Sequence, residues 1–114
     1  MRGPLGLYRV AGTSMLPAYD PGDLLVAMRV PGRRSTHASR WLLTPGRAVV
    51  VRRPERVLVK RLVRREQGGW WVQGDAADAS TDSRAFGVVP QAQVEAVVLG
   101  RLARAPRAAP PAVR

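Results

Sequence analysis

Ten prolines and eleven glycines are spread over the 114 residues, so only short stretches of regular secondary structure fit between them. Proline removes a backbone donor and glycine weakens both helices and strands, so both residues tend to end such stretches. The runs between them are rich in valine and leucine, as β-strands are. The pattern predicts one mainly β domain, because the chain is too short for two hydrophobic cores.

The strand boundaries follow from the alternation of apolar and polar residues. Strands are predicted at residues 7–10, 24–30, 47–53, 57–65, 70–73 and 94–102, the last in preference to a short helix. Residues 74–87 are predicted as one long loop of small and polar residues. A single domain is therefore expected over residues 1–102, followed by a disordered Ala/Pro/Arg tail over residues 103–114.

The composition excludes several kinds of site. The chain has no cysteine, so disulfides, thiolate metal sites and a cysteine nucleophile are ruled out. Its single histidine, His37, lies in a basic and polar stretch and is expected to be a solvated loop residue, so neither a metal nor another cofactor is expected. No run approaches the roughly 20 apolar residues that span a bilayer, so the protein is expected in the cytoplasm or peripheral to the membrane.

Lys60 is the only lysine among nineteen basic residues. Arginine stays protonated in proteins, whereas a lysine placed among apolar side chains can lose its proton near neutral pH. Lys60 lies in the apolar segment V-L-V-K-R-L-V, where burial would disfavour its charged form and make it a general base. The alternative is an exposed strand residue, like its neighbour Arg61.

A base of this kind needs a nucleophile, and one of the five serines, Ser14, lies in the segment G-T-S-M-L-P. Gly12 and the small residues around it leave room for a substrate backbone. Met15 offers an adaptable apolar contact and Pro17 fixes the local backbone, so both are candidate substrate-binding residues. The alternative is an ordinary turn or N-cap serine. Because Ser14 and Lys60 are far apart in sequence, only the fold could bring them together.

The predicted loop over residues 74–87 concentrates three aspartates, two serines and one arginine. Arg84 could pin the loop through a bidentate pair with either Asp75 or Asp82. Ser80 could hydrogen-bond an amine and orient it. The alternative is an acidic calcium-binding loop, but the aspartate spacing does not fit an EF-hand and no glutamate completes one.

Four segments resemble, in the same order, the sequence boxes of the signal peptidase I family of serine peptidases. They are S-M-L-P at 14–17 with G-D at 22–23, P-G-R-A-V-V-V at 45–51, K-R at 60–61, and G-D at 74–75 with S-x-D-S-R-x-x-G-x-V at 80–89. The chain departs from the family at three positions. Arg47 stands where aspartate is usual, Ala76 where asparagine is usual, and Gly12 where some members carry a hydroxyl.

The resemblance implies a catalytic dyad in which Ser14 is the nucleophile and neutral Lys60 is the general base. Ser80 would orient the Lys60 amine, and the backbone N–H of Ser14 would form part of the oxyanion hole. The remaining implied roles are those of structural braces, for Asp75, Asp82 and Arg84. The implied fold is a signal-peptidase-like catalytic core of twisted antiparallel sheets, and the implied reaction is peptide-bond hydrolysis.

The resemblance also implies a substrate, namely a protein or peptide with a small residue, typically alanine, just before the cut. Some small relatives of this family without a membrane anchor remove the N-terminal leader of nickel-type superoxide dismutase. The chain is similar to them in its short length and around residues 69–90. That leader and other N-terminal leader or signal peptides are both open as substrates.

Two other functions stay open. The net charge of +11 suits a basic all-β nucleic-acid-binding module, with Trp70 and Trp71 as a stacking platform, although the arginines are spread along the chain. Strand alternation instead predicts one of the two rings in the core and the other at the surface. The chain could also be a catalytically inactive, peptidase-like binding domain. No specific nucleic acid is expected, and the charge suits weak contact with an anionic membrane surface.

Overall fold

The computed structural model describes residues 3–30 and 41–104, which include seven β-strands. The strands are β1 (Leu5–Arg9), β2 (Leu24–Arg29), β3 (Ala48–Arg52), β4 (Val57–Glu66), β5 (Gly69–Gln73), β6 (Val89–Pro90) and β7 (Val94–Ala103). Every predicted strand is present, and the segment for which a short helix was the alternative is strand β7. The two-residue strand β6 is an addition to the predicted set.

The seven strands form one curled antiparallel sheet in the order β1-β2-β7-β3-β4-β5-β6. The prediction of a mainly β chain is confirmed. Short connections join β3 to β4 and β4 to β5, whereas β7 returns from the far edge to lie between β2 and β3. Register shifts interrupt the β2–β7 and β4–β5 pairings, and such bulges increase the twist of a sheet.

The central strand β3 is buried on both faces, so it divides the core into two apolar clusters. Val50 belongs to the first cluster, whereas Val49 and Val51, which point to the opposite face, belong to the second. Met15 joins the first cluster from the connection between β1 and β2, and Phe86 packs against the second from the segment after β5. The two clusters therefore hold against the sheet the same two segments that carry the candidate site residues.

A tight turn joins β4 to β5 at Gln67 and Gly68, whose φ angles of 51° and 76° are both left-handed. Two successive left-handed residues are typical of the type I′ turn, which matches the twist of paired strands. The alternation of β5 then leaves Trp70 fully buried and Trp71 partly exposed. The prediction that one of these rings enters the core is confirmed.

The segment over residues 74–87 is more regular than the predicted loop. It contains a 3₁₀ turn at Ala77–Ala79 and a four-residue helix at Ser83–Phe86. The Asp82 carboxylate caps this helix, because it accepts a hydrogen bond from the backbone N–H of Arg84 at 3.1 Å. Local caps of this kind leave no mark in an alternation pattern, so the sequence indicated only a loop.

Some predictions concern residues outside the described ranges. They include the solvated His37 with the basic stretch 33–40, and residues 105–114 of the predicted tail. Strand β7 extends to Ala103, one residue into that tail. Within residues 3–30 and 41–104, no helix is long enough and apolar enough to cross a membrane.

Candidate active site

Lys60 lies in β4, directly opposite Val49 of β3. The two residues that precede it, Leu58 and Val59, are buried in the two apolar clusters, and Lys60 itself is only 1% exposed. The alternative of an exposed strand residue is therefore excluded. A side chain that carries a charge in water has here been placed among apolar neighbours.

Burial disfavours the ammonium form of Lys60 and is the largest cause of a pKa that is lowered from 10.5 to about 8. The Asp82 carboxylate acts in the opposite direction, and the guanidinium groups of Arg84 and Arg56 reinforce the lowering of the pKa. A pKa of about 8 leaves on the order of a tenth of the amine neutral at pH 7. Lys60 can therefore accept a proton near neutral pH.

Ser14 lies in the connection between β1 and β2 and is 6% exposed. The next residue, Met15, is fully buried and anchors the connection in the first apolar cluster. The backbone carbonyl of Ser14 accepts a hydrogen bond from the N–H of Ala76 at 2.8 Å. Ser14 is thus held from two sides, by the core through Met15 and by the segment after β5 through Ala76.

Ser14 and Lys60 line the same pocket, which has a volume of about 170 Å³. Gly12 and Thr13 contribute to the wall beside Ser14, and Leu58 contributes to the wall beside Lys60. Among the described residues no hydrogen bond joins the Ser14 hydroxyl to the amine, which instead donates to Ser80. The fold nevertheless brings to one pocket two residues whose proximity the sequence alone could not establish.

Ser80 connects the lysine to a buried carboxylate. The Lys60 amine donates to Ser80 Oγ at 3.1 Å, and the Ser80 hydroxyl donates to Asp82 Oδ2 at 2.6 Å. Asp82 is 1% exposed and accepts two further hydrogen bonds from the Arg84 guanidinium, at 2.9 and 2.6 Å. Burial alone would raise the pKa of Asp82, but hydrogen bonds from Arg84, Ser80 and the backbone outweigh it and lower the pKa. Asp82 is therefore a carboxylate anion that accepts the hydrogen bond from the Ser80 hydroxyl.

Gly74 lies where three parts of the site meet. Its N–H donates to Ser80 Oγ at 3.1 Å and to Asp82 Oδ2 at 2.8 Å. A Cβ atom on this residue would lie 2.6 Å from the backbone carbonyl oxygen of Ser14 and would collide with the Ser80 side chain. Sequence reasoning gave Gly74 no role of its own, and the G-D pair at 74–75 was the one signal that could have pointed to it.

Asp75 pairs with Arg61 and not with Arg84. The Nε and Nη2 atoms of Arg61 donate to the two carboxylate oxygens of Asp75 at 2.7 and 2.6 Å. The same guanidinium donates to the backbone carbonyl of Gly46 at 2.8 Å. Of the two pairs that the sequence offered to Arg84, only the one with Asp82 is formed, and Arg61 is a brace that the sequence did not indicate.

The two candidate substrate-binding residues do not line the pocket. The Met15 side chain fills the core, so the substrate contact predicted for it is wrong, and Pro17 is exposed away from the pocket wall. Gly12 does line the pocket, with a left-handed φ of 73° that side chains rarely adopt. A hydroxyl-bearing residue at position 12 would therefore need a different local backbone.

No described protein family matches this sequence, and no curated protein is significantly similar to it. The resemblance to the signal peptidase I family therefore stays a prediction, carried by the four segments themselves. Three of these segments supply residues that lie at the pocket or bond to its lining, namely Ser14, Lys60, and Gly74 with Ser80.

Proposed function

We propose that this protein is a serine endopeptidase in which Ser14 is the nucleophile and Lys60 is the general base. One observation carries the proposal: the only lysine of the chain is buried in the sheet, and its side chain lines one pocket with a serine. Burying a charged lysine costs folding free energy unless the charge is paired or the amine loses its proton. A depressed pKa beside a candidate nucleophile is a known signature of a catalytic site.

The proposed reaction has two stages that balance in protons. In the first, Ser14 Oγ attacks the peptide carbonyl carbon while Lys60 removes the hydroxyl proton, and the resulting ammonium protonates the departing amine. In the second, Lys60 deprotonates a water molecule that attacks the acyl carbonyl carbon. The bond from this carbon to Ser14 Oγ then breaks, the Lys60 ammonium returns its proton to Ser14 Oγ, and the acid product leaves. The backbone N–H of Ser14 is the proposed donor to the oxyanion, and Gly12 adds no side-chain donor to it.

Ser80 has a positioning role in this proposal. Its single proton is directed to the Asp82 carboxylate, so its oxygen can only accept from the Lys60 amine. When the amine is neutral, this leaves its lone pair free to receive the Ser14 proton. Arg84 and Gly74 keep Asp82 in place through further hydrogen bonds, which supports the predicted roles of Asp82 and Arg84 as braces.

The edge of β4 beside Lys60 offers a place for a substrate strand. Strand β5 pairs with β4 only from Arg61 onwards, so in the described chain residues 57–60 have β3 on one side and no strand on the other. An extended peptide could add to this edge and bring its carbonyl to Ser14. The pocket of about 170 Å³ is smaller than most ligand pockets, which suits a small side chain before the cut.

The proposed substrates are N-terminal leader or signal peptides, with the leader of nickel-type superoxide dismutase as one specific candidate. The nucleic-acid-binding alternative loses its stacking platform, because Trp70 is fully buried and the Arg64 guanidinium lies 4.7 Å from the ring centre of Trp71. An inactive, peptidase-like binding domain is the alternative that the experiment must separate from the enzyme.

The experiment incubates purified protein with leader peptides that end in small residues and with a nickel-type superoxide dismutase precursor, and reads the cleavage sites by mass spectrometry. Ser14→Ala and Lys60→Ala variants run beside the wild type. Cleavage by the wild type that disappears in both variants is the expected result. If both variants fold and cleave as the wild type does, the Ser14–Lys60 dyad is wrong. If no substrate is cut at all, the proposal fails and a binding domain is favoured.

A further inference from the structure

A second pocket, of about 250 Å³, adjoins the pocket of Ser14 and Lys60. Its wall is formed mainly by residues 53–56, the turn between β3 and β4, and we call it the arginine pocket. Arg56, Leu58 and Thr81 line both pockets, so the two form one continuous groove along the start of β4. A peptide held at the open edge of β4 would pass both.

Two guanidinium groups and one carboxylate border the arginine pocket. Arg53 is held in place, because it donates to Gln93 Oε1 at 3.1 Å and its guanidinium lies 4.4 Å from the ring centre of Phe86. Arg56 makes no side-chain hydrogen bond or ion pair with any described residue. Glu55 likewise forms no ion pair with either arginine within the described chain, so no carboxylate there neutralises the two guanidinium groups and the pocket is positive overall.

The residues that line the arginine pocket also favour the binding of a carboxylate. Leu58 and Phe86 give the arginine pocket an apolar floor, and an ion pair formed against apolar surface is screened less than one in open solvent. A guanidinium presents paired N–H groups that match a carboxylate geometrically, which an ammonium would not do. The net charge of +11 adds a long-range attraction for acidic peptides.

We propose that the arginine pocket binds an acidic side chain of the peptide substrate, with Arg56 as the main contact. This inference rests on the proposed peptidase function and names a class of substrate for it. Arg56 directly precedes β4 and lines the pocket of Ser14 together with Leu58 and Lys60, so substrate side chains at alternate positions would face the two pockets. Arg56 lies four residues before Lys60, at most roughly 13 Å away if the backbone is extended, which places the acidic residue two to four positions from the cut.

The first test measures cleavage of matched peptides that carry aspartate or asparagine at each position up to four residues from the cut, on either side. We expect kcat/KM to be roughly tenfold higher for aspartate at one of these positions, the effect of one charge-assisted hydrogen bond. Arg56→Gln should remove this aspartate-to-asparagine ratio, whereas Arg64→Gln, which changes the net charge equally at the far end of β4, should keep it. A change in the pKa of Lys60 caused by the Arg56 substitution would affect both peptides equally, so it would leave the ratio of their kcat/KM values unchanged.

The second test measures binding alone, using Ser14→Ala so that cleavage plays no part. The aspartate peptide should bind more tightly than the asparagine peptide, and Arg56→Glu should invert the preference in favour of a lysine peptide. If peptides are cut but neither test finds an acidic preference, the arginine pocket inference is wrong and the peptidase proposal stands. If the binding preference follows Arg56 but nothing is cut, the pocket is supported and the peptidase proposal fails.

Discussion

Replacing Lys60 with methionine should stabilise the protein near neutral pH, even though Lys60 is the proposed base. The lysine is 1% exposed and its pKa falls from 10.5 to about 8, so the folded state carries the cost of a buried charge at pH 7. At 1.36 kcal/mol for each pKa unit, that cost is at most about 3 kcal/mol. Methionine fills a similar volume without charge, but it loses the hydrogen bond to Ser80, worth about 1 kcal/mol. The free energy of unfolding should therefore rise by about 2 kcal/mol.

The same pKa fixes how stability depends on pH. Because the folded pKa of Lys60 lies below the unfolded one, the unfolded state binds more protons between about pH 8 and 10.5, and the free energy of unfolding rises with pH in that window. Tyr8 acts in the opposite direction above about pH 10, since burial and its hydrogen bond to Glu95 raise its pKa to about 12. The contribution of Lys60 to the free energy of unfolding can therefore be read without that of Tyr8 only up to about pH 10.

The assay is urea unfolding followed by tryptophan fluorescence, at several values between about pH 7 and pH 10. We expect the wild type to gain about 2 kcal/mol over this range and the Lys60→Met variant to stay flat. A Lys60→Arg variant is the matched control, because its charge cannot be lost and it should be less stable than the wild type throughout. A wild type with no rise, or a methionine variant that is less stable than the wild type at pH 7, would refute the argument.

Two further substitutions test the segment that supports the lysine. Gly74→Ala places a Cβ against Ser80 and should lower peptidase activity more than tenfold and the free energy of unfolding by about 1–3 kcal/mol. The control is Gly100→Ala, whose Cβ meets nothing within 4 Å and which should change neither quantity. Turnover and urea unfolding measure the two effects. Asp82→Asn leaves Arg84 without its carboxylate and should cost about 2 kcal/mol at pH 7. Because the folded pKa of Asp82 is lowered, the wild type should lose this advantage as the pH falls below about 4, and acid unfolding curves that do not converge would contradict the assignment.

Local patterns explain why the strands and the burial of Lys60 were predictable. The glycines and prolines mark the turns, and strand alternation predicted that one of Trp70 and Trp71 enters the core, which the structure shows to be Trp70. Leu58 and Leu62, two residues to either side of Lys60, are apolar and lie on the same side of β4, so the alternation favoured a buried Lys60 although an exposed one stayed open. Each of these features depends on a few residues that are adjacent in the chain.

Features that depend on strand register were not predictable. Asp75 forms its ion pair with Arg61 because Arg61 pairs with Gln73 in the β4–β5 ladder, which places Arg61 close to Asp75, two residues further along the chain. No local sequence pattern distinguishes Arg61 from Arg84 as the partner of Asp75. The open edge of β4 likewise arises from where β5 begins to pair. Met15 was assigned to the substrate because the sequence does not say which side of the turn after Gly12 faces the core.

The most direct test of the account is the pH dependence of Ser14 acylation. The protein is mixed with an activated ester of an alanine-terminated peptide, and intact and peptide mass spectrometry follow the covalent adduct at short times. We expect one acyl group on Ser14, formed at a rate that rises with an apparent pKa of about 8 and absent in Ser14→Ala and Lys60→Met. Acylation of a different serine, or a rate on Ser14 that Lys60→Met leaves unchanged, would contradict the proposed dyad.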